Sequence, residues 1–188
     1  MPDTPVATPL PLPLTTKAKD LYGNGVSGIS ISYSDGGAGG LLSSNPVTTD
    51  SAGLAPVTYT TPTVPGTVKI SASATGLKSV TFSETVTAGP AAKTASTSGN
   101  GQSGPPSTQL ALPLVVTVTD KYGNVVAGAS VSFADGGAGG SFSSNPIVTD
   151  ASGVASVKYT TASHTGKTTV KGTVSGVSPS AAFTVTVQ

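Results

Sequence analysis

The stretch DLYGNGVSG, Asp20–Gly28, returns as DKYGNVVAG, Asp120–Gly128, at an offset of 100 residues. The echo extends outward from this point. SDGGAGGLLSSNPVTTD, ending at Asp50, matches ADGGAGGSFSSNPIVTD, ending at Asp150, and AGLAPVTYTT matches SGVASVKYTT. Gly66 and Gly76 match Gly166 and Gly176, and one extra residue near Pro179 then brings FSETV at Phe82 onto FTVTV at Phe183. Self-similarity over this length reads as two homologous structural units. The seam falls in TAGPAAK, Thr87–Lys93, where a strand-like run stops at Gly89-Pro90, so the units are residues 1–88 and 89–188. So short a connection, stiffened by Pro90, predicts a semi-rigid tandem. The second unit opens with AAKTASTSGNGQSGPPSTQL, most of whose counterparts would lie ahead of Met1. The first unit is therefore expected to lack most of its first strand and to leave a sheet edge exposed.

Within each unit the apolar residues alternate. Ile29, Ile31 and Tyr33 share one face, as do Val68, Ile70, Ala72 and Ala74, and then Val80 and Phe82. The second unit repeats the rhythm with Leu114, Val116 and Val118, with Val131 and Phe133, and with Phe183, Val185 and Val187. Period two, in runs dominated by Thr, Val and Ser, is the pattern of half-buried strands. About six or seven such strands per unit, separated by turn signals, predict two tandem immunoglobulin-like β-sandwiches, an all-β fold. With no Cys and no Trp, the bulk of the cores must come from Tyr33, Tyr59 and Phe82 in one unit and Phe133, Phe142, Tyr159 and Phe183 in the other.

The combination V.VTDKYGN.VAG..V.F, a glycine loop, VTDASGVASVKYTT and a closing FTVTV resembles the group 1 bacterial immunoglobulin-like repeat of the invasin and intimin family. The resemblance covers nearly the whole chain apart from the first strand of the first unit. It implies extracellular rods of stacked sandwiches at the bacterial surface, with neighbouring immunoglobulin-like repeats as the immediate partners. The specialised tip domain that carries adhesion in that family has no counterpart in these residues.

Composition argues against several functions. The net charge is +1, with nine Lys and Arg in total, all of them Lys. There is no basic cluster of the kind that displaces counterions from phosphate, so nucleic acid is not an expected partner. No apolar run approaches the ~18 residues of a membrane span, and no contact with a membrane is expected of these residues. Absence of Cys removes thiolate metal sites and disulfides.

The repeated DGGAGG, Asp35–Gly40 and Asp135–Gly140, raises the question of phosphate binding. It lacks the G-x-G-x-x-G spacing, since Leu42 stands at the last glycine position, and no helix follows; a turn between sheets is the expected role. HTGKTT, His164–Thr169, carries half a P-loop pattern but has Thr161 where the first glycine is needed. His164 is the only His, so no His-based dyad or metal set can form, no Ser has an evident base, and catalysis is not expected.

Asp20, Asp35 and Asp50 recur as Asp120, Asp135 and Asp150. Calcium takes roughly six to eight oxygens, but these carboxylates are dispersed beside turn residues, where capping backbone N–H groups is the expected role. Asp20 and Asp120, or the seam, are where a calcium ion would be sought. Tyr22 and Tyr122, beside the Gly-Asn turns, are the repeated candidates for ligand binding, with burial as the expected alternative. Glu84, the single Glu, is expected to face the junction or pair with a Lys.

The sequence thus predicts spacer repeats of a bacterial cell-surface or secreted adhesin-like protein without chemistry of their own. The alternatives are a ligand- or carbohydrate-binding module, accessory immunoglobulin-like domains of an extracellular enzyme, and self-association through the exposed edge.

Overall fold

Thr, Val and Ser runs set alternately inward and outward carry this chain from strand to strand, because β-branched side chains suit a pleated surface with one buried face. The computed structural model describes residues 3–188, and among them there is no helix. The chain divides into two compact units, Met1–Ala88 and Gly89–Gln188.

In the first unit the larger sheet runs, in spatial order, Thr4–Pro5 (β1), Val80–Thr87 (β9), Gly66–Ser73 (β8), Ser30–Ser34 (β3) and Val47–Thr48 (β5). Facing it are Leu14–Lys17 (β2) paired with Leu54–Val57 (β6), and Leu41–Leu42 (β4) paired with Tyr59–Thr60 (β7). The core lies between: Leu14, Ala55 and Val57 from one side meet Ile31, Tyr33, Ile70, Ala72 and Val86 from the other.

The second unit repeats this with one addition. Its first strand is split. Lys93–Ser98 (β10) pairs antiparallel with Leu114–Thr119 (β12), which in turn pairs with Val154–Val157 (β16). The chain then turns through Gly99 and Gly101, both at positive φ, and Gln102–Gly104 (β11) joins the other sheet, parallel to Ala181–Val187 (β19). At Gly99 a Cβ would lie 2.1 Å from the carbonyl oxygen of Pro113, so only glycine lets the strand change sheets so close to its neighbour. Gly166–Thr173 (β18), Ser130–Ala134 (β13) and Ile147–Val148 (β15) complete that sheet, and Ser141–Phe142 (β14) pairs with Tyr159–Thr160 (β17). The first unit keeps only the second half of the split strand, as β1 parallel to β9. It therefore lacks the counterpart of β10, as the repeat alignment predicts.

Most of the expected core residues are buried, including Tyr33, Tyr59, Phe133, Tyr159 and Phe183. Three depart from expectation. Val80 is 49% exposed and Phe82 is half-buried, whereas Ala181 and Phe183 at the same positions of the second unit are 3% and 0% exposed. The reason is topological: β10 packs beside β19 in the second unit, and among the described residues nothing stands beside the matching part of β9. Phe142 is also half-buried, stacked 5.0 Å from the Tyr159 ring and 6.0 Å from that of Phe133.

Candidate functional site

The glycine loop is built around its own aspartate. Asp35 Oδ2 accepts from Gly40 N–H at 2.8 Å and from the Tyr59 hydroxyl at 3.0 Å, while Oδ1 accepts from Gly37 N–H at 3.0 Å. The second copy is superimposable in kind, with Gly140 N–H at 2.8 Å, Tyr159 O–H at 3.1 Å and Gly137 N–H at 3.1 Å. Gly36, Gly37 and Gly39 adopt positive φ, and a Cβ on Gly40 would lie 2.0 Å from the Tyr59 hydroxyl oxygen. The loop's N–H groups that could have held a phosphate are thus turned onto Asp35. The run folds the chain over a buried tyrosine.

These bonds set the acidities. Burial opposes ionisation of Asp35, but the Gly40, Tyr59 and Gly37 donors outweigh it and hold its pKa below the ordinary carboxylate value; Asp135 behaves alike. Burial, reinforced by Asp35, pushes the Tyr59 hydroxyl well above its ordinary value, and Tyr159, buried against Asp135, is pushed up to about 12. Both phenols therefore act as donors across the physiological range, serving structure.

Asp20 and Asp120 each cap the turn that follows them. Asp20 Oδ1 accepts from the N–H of Tyr22 and of Asn24 at 2.9 and 2.8 Å, and Oδ2 accepts from Asn24 Nδ2 at 3.0 Å. Bonding from the Asn24 side chain and backbone lowers the Asp20 pKa. Asp120 makes the same bonds to Tyr122 and Asn124 and a further one: its Oδ2 accepts from Gly89 N–H at 3.0 Å. Asp120 is fully buried and Asp20 is exposed. At Asp120 burial is the largest influence and acts against ionisation, but the Asn124, Gly89 and Tyr122 donors prevail and its pKa too is lowered. The places where calcium was sought are thus occupied by turn bonds. Among the described residues no three His, Asp or Glu side chains are grouped to hold a metal ion.

The expectation that Tyr22 and Tyr122 are buried is overturned. Tyr22 is 87% exposed and Tyr122 is 41% exposed, the latter with Lys121 Nζ 4.8 Å from its ring centroid. Each tyrosine follows a capped Asp, and the tight turn throws its side chain outward. His164 is exposed and lies 3.1 Å from Ser163 Oγ, at the rim of a shallow depression that also includes Lys167, Thr168 and Val187.

Glu84 is also placed differently from expectation. It is buried within the first unit, its Oε1 accepting from Thr4 Oγ1 at 2.9 Å, while Oε2 has no hydrogen-bond partner. The second unit has Gly104 and Val185 at these positions. The parallel pairing of β1 with β9 joins residues 80 apart in sequence, which no local pattern announces.

No family model matches the sequence, and no curated protein matches it. Solved structures do. The FdeC adhesin of Escherichia coli aligns over 97% of this chain and 61% of its own, with 24% identity and a TM-score of 0.64. InvD of Yersinia pseudotuberculosis aligns over 93% of this chain and 51% of its own, with 22% identity and a TM-score of 0.60. The chain thus spans between half and two thirds of the length of these structures. At such identities the likeness establishes the fold, the tandem immunoglobulin-like sandwich of invasin- and intimin-type surface proteins, and nothing finer.

Proposed function

We propose that the chain is a pair of spacer repeats from an adhesin-like protein of the bacterial surface, carrying load and reach in place of chemistry. The fold shared with an Escherichia coli adhesin supports the setting. The observation that carries the mechanical reading is the parallel pairing of the first and last strands in both units. Pulling a unit by its two ends draws such strands along each other, so their ladder bonds are strained together in shear instead of opening one after another. In the second unit Gln102, Ser103 and Gly104 stand against Val185, Thr186 and Val187. The ladder is extended by Gly101 N–H to Thr184 O at 3.0 Å and Gln188 N–H to Gly104 O at 3.1 Å. The first unit has the shorter ladder, Thr4 and Pro5 against Val86 and Thr87, continued by Val6 N–H to Thr87 O at 2.9 Å.

Single-molecule pulling on the full chain tests this. Two unfolding events are expected, each releasing roughly 30 nm of chain at the extended spacing of ~3.5 Å per residue, with the second unit yielding at the higher force. Unfolding of both units at forces indistinguishable from those of an unclamped hairpin would sink the spacer role.

A further inference from the structure

The uncovered flank of the first unit is an empty copy of a site that the second unit fills from its own chain. In the second unit the filling is explicit. Gly89 donates to Asp120, Ala92 N–H donates to Thr119 O at 2.8 Å, and Lys93, Thr94, Ala95 and Ser96 stand against Thr119, Val118, Thr117 and Val116. Thr94 Oγ1 reaches Pro179 O at 2.8 Å, and Ala91 packs on the core. In the first unit the matching edge, Leu14–Lys17, has β6 on one side and, among the described residues, no strand on the other. Beside that edge lies a groove of about 60 Å³ lined by Thr16, Lys17, Ala72, Leu77 and Val80. Leu77 and Val80 are about half exposed there.

We propose that this flank is a strand-acceptor site. Its ligand is an extended peptide segment, supplied by polypeptide outside residues 3–188, that adds antiparallel to Leu14–Lys19 in the register β10 uses. The chemistry of the ligand follows from that register. Positions facing inward, matching Thr94 and Ser96, must be small to lie over Ala72 and Val80. The outward positions, matching Lys93 and Ala95, meet Lys19 and Lys17 in place of Thr119 and Thr117. Like charges directly opposed across a ladder destabilise and opposite charges stabilise, so the site selects carboxylates at these two places. A leading Gly completes the fit by donating its N–H to Asp20, as Gly89 does to Asp120. A second copy of the chain is the poorer occupant, because its own Gly89–Ser98 segment is already paired and carries Lys93.

The test adds synthetic peptides to the full-length chain and follows backbone amide shifts. The ligand is the Gly89–Ser98 sequence carrying Lys93→Glu and Ala95→Glu. Saturable shifts are expected over Leu14–Lys19, Val80 and Phe82, with Leu114–Thr119 unmoved as the internal control. The unaltered sequence should bind at least about fivefold more weakly at low salt, with the difference shrinking as ionic strength rises. Absence of shifts at millimolar peptide, or equal shifts in both units, overturns the proposal. Shifts at the same residues that appear on concentrating the chain alone, with a dimer in sedimentation, overturn it in favour of the second copy.

Discussion

The two units share a plan but not an interior. Where the second has Val116 and Phe133 meeting between its sheets, the first has Thr16 and Tyr33, whose hydroxyl groups bond to each other at 2.8 Å while Tyr33 also donates to Ala55 O. Where the second has Gly104 and Val185, the first buries Thr4 against Glu84. The second unit also covers its flank with β10, so Phe183 and Val185 are sealed, whereas Phe82 remains half open. One backbone topology thus tolerates an apolar interior and a hydroxyl-bridged one, provided each buried polar group finds a partner. Glu84 Oε2 is the atom that breaks this condition.

The comparison is most easily broken at the matched phenylalanines. Phe183→Ala removes a fully buried ring and should destabilise the second unit by about 3–5 kcal/mol. Phe82→Ala removes a half-exposed one and should cost the first unit roughly half as much or less, because part of its surface is already hydrated. Residue-resolved hydrogen exchange along a urea series reads the two units separately. Equal losses would mean that the flank beside Phe82 is covered in solution.

Next in size is Glu84→Val, which gives the first unit the second unit's residue. A buried polar atom without a partner costs about 1–3 kcal/mol, and replacing the carboxyl by a hydrocarbon of the matched shape relieves it. The first unit should gain roughly 1–2 kcal/mol, less what Thr4 loses with its acceptor, and the exchange rates of its core amides should fall. A loss of stability would show that Oε2 is satisfied in solution.

Much of this architecture was legible from the repeat and from period two. Offset and alternation located the seam, the sandwich and most of the inward residues, and the glycine spacing separated a turn from a phosphate loop. Legibility ended where long-range pairing decides. Tyr22 looks like a core aromatic until the Asp20 cap fixes the turn and points the ring outward. Glu84 looks like a surface residue on an alternating strand until β1 arrives alongside it, 80 residues away in sequence. The bond from Gly89 to Asp120, which ties the start of the second unit to its own turn, has no local signature either.

That bond supports the smallest of the expected effects. Asp120 has a folded-state pKa below the ordinary value, its donors outweighing burial. A depressed carboxyl contributes stability above the unfolded pKa, near 3.9, and loses it as pH falls through the folded value. Asp120→Asn keeps one acceptor but gives up the charge that Gly89, Tyr122 and Asn124 bond to, so near neutral pH the second unit should lose about 1 kcal/mol. Below the folded pKa the native carboxyl is itself protonated, and the two proteins should converge in stability. Asp20→Asn, at an exposed turn without the Gly89 donor, should show the smaller loss. Convergence on raising the pH instead of lowering it would reverse the assigned sign, and equal losses at Asp20 and Asp120 would remove the Gly89 bond from the account of what distinguishes the two turns.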